Sequence, residues 1–303
     1  MIESLLNPEN IEKRPWEAFI AGFLFTIVAC ILTMQMGVTG QGTGFLVVAF
    51  VSIAAAPFIV HLFDIEEKKS WDNKNFIDRH DELIQVFAFF FIAVIFASSL
   101  FFVLTGEQAS LLMFGDQTLD LCSKGLIQDP LCFEACLKGD LEGAVCNEMM
   151  MTGQAVSFKP DFMTILLNNL TVLALAILFS FLLGAGAIYL ITWNATVIGV
   201  LIAKIAEHPE MYGSVDIGNG NIMLNYIVAL PITLLRLLPH GIFEFGGYFF
   251  GAVAGGILSV SIVKNKFDTF TKFKLRCSMK DALIYVLISV ILIVIGAGIE
   301  AII

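Results

Sequence analysis

Of the 303 residues, 58% are hydrophobic and 15% charged, and the mean hydropathy is +0.86. A soluble globular domain, where about 45–50% apolar is usual, is thereby excluded. The net charge of −10, with no dense basic stripe, excludes nucleic acid as a partner. The solvent this chain is built for is the lipid bilayer.

A hydrocarbon core of about 30 Å takes about 20 apolar residues at the helical rise of 1.5 Å. In chain order the apolar runs predict spans near 18–36, 45–63, 86–104, 165–192 and 282–299, with a more complicated apolar region over 194–263. The first run follows a charged 17-residue lead and has no small-x-small site behind it, so no cleavable signal is expected. The predicted fold is all-α: a polytopic transmembrane bundle of about six to seven membrane segments, including a broken or re-entrant region, with a small cysteine-rich extracytoplasmic cap. It divides into a three-span region (1–104), a cysteine-containing loop (105–162) and a C-terminal membrane region (163–303).

Basic residues orient the bundle, because short loops rich in lysine and arginine resist translocation. Lys13 and Arg14 precede the first span; Lys68, Lys69, Lys74 and Arg79 follow the second; Lys264, Lys266, Lys272, Lys274, Arg276 and Lys280 precede the last. These segments are expected in the cytoplasm, which places the N-terminus inside, loop 105–162 outside and the C-terminus extracytoplasmic. The stretch 195–206 would be only about 18 Å long as a helix, short for a span. Either it is re-entrant, or it crosses with help from 208–221 and leaves a discontinuous helix behind Pro231 or Pro239. Irregular backbone at membrane depth is tolerated only where protein or a water-filled cavity covers it.

Four of the six cysteines fall in the outer loop, as Cys122-x9-Cys132-x3-Cys136-x9-Cys146. An even local set in an oxidising compartment predicts two disulfides. Free thiols are an alternative, and so is zinc, although structural zinc usually uses tighter C-x2–4-C pairs. All three connectivities are open; nesting Cys132–Cys136 inside Cys122–Cys146 would make a helical hairpin.

The stretch RLLPHGIFEFGGYFFGAVAGG, 236–256, sets Arg236, His240 and Glu244 among apolar residues. If a helix begins at Pro239, where the missing N–H costs nothing, then His240, Glu244, Gly247, Gly251 and Gly255 lie within roughly 60° of one side. The glycine series lets helix backbones approach closely in lipid. Arg236 would end the preceding helix, where the macrodipole favours a cation. A charge at the bilayer centre costs about 2.5–3.5 kcal/mol or more, so these groups either pair to lock a helix break or line a polar site. Asn168, Asn169 and Asn194 complete the intramembrane polar set; Asn169 shares a face with Ser180 and Gly184, a second close-packing stripe. His61, Asp64, Glu66, Glu67 and His80 read as a solvated, helix-flanking run. No metal site and no cofactor are expected: His240-x-x-x-Glu244 lacks the second histidine of an H-E-x-x-H zinc site, and no G-x-S-x-G or Walker-type loop occurs.

Asn168-Asn169, the stretch 183–187 (LGAGA), the stretch 193–199 (WNATVIG) and above all 238–244 (LPHGIFE) followed by 251–256 (GAVAGG) resemble the stage II sporulation protein M family of integral membrane proteins. The core of the resemblance covers about 160–263, with the cysteine-rich loop outside it. Lys13-Arg14-Pro15-Trp16 and His80 are similar to archaeal members, which implies an archaeal source. The bacterial namesake serves a membrane machine that remodels the cell wall during engulfment, as a membrane component and not as the hydrolase. The resemblance therefore implies a non-enzymatic scaffold or assembly component of the cell membrane, with a homo-oligomer or other membrane proteins as partners. The alternative is a transporter or channel with a proton- or cation-linked polar site near the midplane.

Overall fold

The computed structural model describes residues 14–37, 42–69, 81–127, 129–139, 146, 161–183, 185–209, 216, 218, 220–264 and 271–302. These form α1 (Glu17–Gln35), α2 (Thr43–Lys69), α3 (Asp81–Thr105), α4 (Glu107–Ser123), α5 (Pro130–Lys138), α6 (Phe162–Leu183), α7 (Ala187–Glu207), α8 (Ile222–Lys264) and α9 (Thr271–Ile302), with no strand among the described residues. The chain is an all-helical bundle in which seven helices, all but α4 and α5, are long and apolar enough to cross a membrane. In α7 and α3, 72% and 67% of the apolar window is buried inside the protein, against 28% in α6 and 22% in α8. Those two helices are the interior of the bundle, and the others turn much of their leucine and isoleucine outward, as a lipid-facing surface requires.

Three expectations about the middle of the chain need correction. The run 165–192 is not one span: α6 ends at Leu183 and α7 starts at Ala187. A Cβ at Gly186 would collide with the backbone carbonyl of Phe179, so the glycine-rich stretch is a tight turn that only a residue without a side chain can make. Gly184, read as a packing glycine, lies outside the described residues. Nor is 195–206 a short re-entrant piece, because it belongs to the 21-residue α7, about 31 Å long and enough to cross. Asn194 therefore sits inside α7 and not at the end of a span.

The third correction concerns the prolines. No helix begins at Pro239, and Arg236 ends none: α8 runs through Pro231 and Pro239 for 43 residues, about 64 Å at helical rise, twice the hydrocarbon thickness. It cannot stand upright along its whole length. Tyr226 bonds to Ser99 of α3 (2.9 Å), whereas Phe245 stacks on Phe91 of α3 with ring centroids 4.5 Å apart. Between those contacts α8 advances about 28 Å and α3 only about 12 Å, so the N-terminal part of α8 runs obliquely to α3. The remainder, after Pro239, descends along α6 and α9, its principal neighbours.

The glycine series of α8 is used within this chain. Cβ atoms at the three positions would meet Ile293 (3.0 Å) and the Ser289 carbonyl (3.1 Å) of α9 from Gly247, the Leu173 side chain of α6 from Gly251, and the Ile177 carbonyl (2.5 Å) of α6 from Gly255. Backbone cannot yield as a flexible side chain does, so Gly255→Ala is expected to lower stability by about 1–3 kcal/mol through overpacking. Gly298→Ala, where nothing lies within 4 Å, is expected to change it by no more than about 0.5 kcal/mol. Thermal unfolding of the two variants in detergent checks the contrast.

The cap is α4, α5 and their links. Asp116 of α4 accepts hydrogen bonds from the Gly42 and Gly44 amides (3.0 and 2.8 Å) at the start of α2, satisfying donors that a helix N-terminus leaves orphaned. Asp161 does the same for α6, accepting from the Thr164 amide (3.0 Å), and hydrogen bonding from the Thr164 side chain and then its amide holds the Asp161 carboxyl below the ordinary carboxylate range. The disulfides are sequential, Cys122–Cys132 and Cys136–Cys146, with Cα atoms 5.4 and 5.5 Å apart. The nested hairpin does not form, because α5 begins just before Cys132 and carries Cys136 on its next turn, each facing a different neighbour. Peptide mapping without reduction is expected to recover 122 joined to 132 and 136 joined to 146; a 122–146 linkage would contradict the fold.

A buried ion pair locks the cap to the bundle. Asp129 is the N-cap of α5, accepting from the Leu131 amide (2.8 Å), and also meets Lys204 of α7 at 2.8 Å. Glu207 lies 3.1 Å from the same ammonium, and the Phe102 ring is 5.3 Å from it. Lys204 is 0% exposed. Removing one partner of a buried pair strands the other charges, so Lys204→Met is expected to cost about 3–5 kcal/mol, measured as a drop in the detergent melting temperature together with faster protease cleavage in 105–162.

Candidate functional site

His240 and Glu244 are one helical turn apart on α8, so both side chains leave the same side of the helix. Opposite them α9 carries Gly296, at which a Cβ would lie 2.6 Å from Glu244 Cγ and 3.3 Å from the His240 carbonyl. Only glycine lets the two helices come this close, and one turn further along α9 the approach delivers Glu300. One ligand-capable atom from each of His240, Glu244 and Glu300 lies within 4.8 Å of the others.

Glu244 is 8% exposed. Its Oε1 accepts a hydrogen bond from Asn169 Nδ2 of α6 at 2.7 Å, and Asn169 Oδ1 in turn accepts from the Tyr248 hydroxyl at 2.9 Å. The relay fixes the orientation of each group: tyrosine donates to the amide carbonyl, and the amide donates to the carboxylate. His240 is half-buried, and its Nδ1 is sealed from solvent with no hydrogen-bond partner among the described residues. Two ionised carboxylates within 4.8 Å of each other repel by about 3 kcal/mol or more at an effective dielectric of about 20. The two groups therefore destabilise each other whenever both are charged.

These groups line a cavity of about 320 Å³. Asn168 and Asn169 form one wall, Asn194 another, and Ser123 at the end of α4 and Lys124 just beyond it, both exposed, stand at its mouth. The site lies toward the cap end of the bundle and not at the midplane: Asn169 is about 10 Å into α6 and Glu300 two residues from the end of α9. Below it, Gly247, Gly251 and Gly255 bring α8 into close contact with α9 and α6.

Five of the six residues read as an intramembrane polar set therefore converge. Asn194 lines the cavity but spends its amide on the Leu190 carbonyl of its own helix (2.8 Å), and Asn168 is exposed at the rim. Arg236 is the exception: it is exposed and does not line the cavity, because with α8 continuous it lies about 80° around the helix from Glu244. Sequence reasoning missed Glu300 and Tyr248. The signal for Glu300 was present, since it is the sole charged residue after Asp281, but the last span was ended one residue short of it. Tyr248 is one turn beyond Glu244 and reads as one more aromatic in an aromatic run. Of the charged residues flanking α2 and α3, His61 is exposed, and His80 lies outside the described residues.

The sequence model of the family described as Stage II sporulation protein M matches residues 85–303. The chain belongs to that family. An uncharacterized protein of Methanocaldococcus jannaschii is 32% identical over 154 residues, which cover 51% of this chain and 76% of the relative. No solved structure matches. The stage II sporulation protein M match is wider than the 160–263 core on which the resemblance was read; it begins in α3 and takes in the cap, α9 and Glu300.

The relay gives a graded expectation. Tyr248→Phe removes one neutral hydrogen bond and should cost about 0.5–1.5 kcal/mol, whereas Asn169→Leu leaves the Glu244 carboxylate without its donor and should cost about 1–3 kcal/mol or more. Melting temperatures in detergent in the reverse order would contradict the hydrogen-bond assignment.

Proposed function

We propose that this stage II sporulation protein M family member is a non-enzymatic, cation-linked membrane transporter. It would bind its ion in the cavity of His240, Glu244 and Glu300 from the side that carries the cap. One observation carries the reading: ionisable groups from α8 and α9 converge on a cavity with an exposed mouth, at a depth where such groups are kept for a task. The close-packed glycine seam beneath supports an outward-facing arrangement. Closely packed small residues are also where helices slide with least obstruction, as alternating access needs.

The disulfides support an extracytoplasmic cap, since such bonds persist in oxidising compartments. With seven crossings this puts the N-terminus in the cytoplasm and the C-terminus outside, in agreement with the basic residues at Lys13, Arg14, Lys68 and Lys69. A cell-membrane location and an archaeal source belong to the same reading, the latter supported by the Methanocaldococcus jannaschii relative. A scaffold that assembles through glycine faces, with a homo-oligomer or other membrane proteins as partners, has less support, because Gly247, Gly251 and Gly255 are occupied by α6 and α9 of the same chain.

Proteoliposomes carrying a lumenal pH dye and a divalent-metal dye test the proposal. An imposed cation gradient should produce flux with the wild-type chain and none with Glu244→Gln, the variant remaining monodisperse. Wild-type vesicles that stay tight, or flux unchanged by Glu244→Gln, would remove transport and return the scaffold to first place.

A further inference from the structure

Resting on that reading, we infer that the ion held by His240, Glu244 and Glu300 is a divalent first-row transition-metal cation. Three features of the site point there. Two carboxylates carry two negative charges that a single divalent ion neutralises, and burial strongly favours such a balance. The third donor is an imidazole nitrogen, which suits zinc, iron, cobalt or nickel; magnesium and calcium take oxygen ligands. His240 has its Nδ1 sealed from water with no hydrogen-bond partner among the described residues, so this ring still has a nitrogen to give.

The spacing fits with small adjustments. Bonds of about 2.0–2.2 Å set ligands around a four-coordinate zinc about 3.3 Å apart, and the three atoms here lie within 4.8 Å of one another, so side-chain movements of about an ångström bring them to bonding distance. Three protein ligands leave a fourth position facing the cavity, the open arrangement an ion needs in order to enter and leave. The carboxylate is also held from behind: Asn169 donates to Glu244 Oε1 (2.7 Å) and is itself held by Tyr248 (2.9 Å), the outer-shell support that ligating carboxylates usually have. Asn169 is thus a positioning residue.

Untagged full-length protein in detergent, stripped with EDTA, is titrated calorimetrically with Zn²⁺, and separately with Co²⁺ while its visible absorption is read. One saturable site is expected, with Co²⁺ giving the strong bands of four- or five-coordinate nitrogen and oxygen ligation. His240→Ala and Glu300→Gln should each weaken Zn²⁺ binding about 100-fold or more, and Asn169→Ala about 10–100-fold. No saturable binding, a site unchanged in both ligand variants, or one that Mg²⁺ fills equally well would overturn the assignment. Should a variant fail to fold, the wild-type Co²⁺ spectrum decides, the weak spectrum of six-coordinate aqueous Co²⁺ being the contrary result. Zn²⁺ binding without flux in vesicles would leave the metal site standing and transport fallen; proton flux through a chain that binds no metal would do the reverse.

Discussion

A carboxylate shut away from water among apolar helices must be answered by a partner, and the placement of Glu244 organises the C-terminal half of this molecule around that requirement. Three helices meet there. The Asn169 amide of α6 supplies the hydrogen bond and is itself held by Tyr248 of α8, while His240 of α8 and Glu300 of α9, admitted by Gly296, stand beside the carboxylate. Without α6 the carboxylate loses its donor. The polar site and the helix packing are therefore one feature: the glycines that bring α6 and α9 against α8 are the condition for the side chains above them to meet.

The cap end depends on a second buried charge that is answered differently. Lys204 is fully enclosed, but Asp129 and Glu207 hold it at 2.8 and 3.1 Å, an arrangement of opposite charges. Glu244 and Glu300 face each other as like charges across a cavity lined by both. The contrast separates the two sites chemically. Opposite charges that satisfy one another suffice for a structural role; like charges brought together are what the proposed cation site would neutralise. The disulfides of α4 and α5 hold Asp129 in place, so the cap both fastens the bundle and frames the mouth of the cavity through Ser123 and Lys124.

Much of this was legible in the sequence. Apolar runs gave six to seven membrane segments where seven helices are long and apolar enough to cross, cysteine spacing gave two disulfides, and 100° per residue put His240, Glu244 and the glycines on one face. Four things were not legible, each for a physical reason. The break between α6 and α7 lies in a glycine-rich run of an apolar stretch, which does not show itself as a turn until the Phe179 carbonyl is known to lie beside Gly186. The course of α8 through Pro231 and Pro239 depends on neighbours that support the helix where proline removes hydrogen bonds. Glu300 comes from a helix whose register against α8 no local pattern encodes, and the pairing of the cysteines likewise depended on where α5 docks. The identity of the cluster is tertiary information, whereas the existence of a polar face is local.

The central claim is that α8 and α9 bring positions 240 and 300 together at a cavity reached from water. In a Cys30→Ala/Cys277→Ala background, the pair His240→Cys/Glu300→Cys can be treated with a short water-soluble bifunctional thiol reagent and read by mass spectrometry after proteolysis. The account predicts a 240–300 cross-link and none for Arg236→Cys/Glu300→Cys, whose first partner lies outside the cavity. A cross-link at 236 with none at 240 would contradict it.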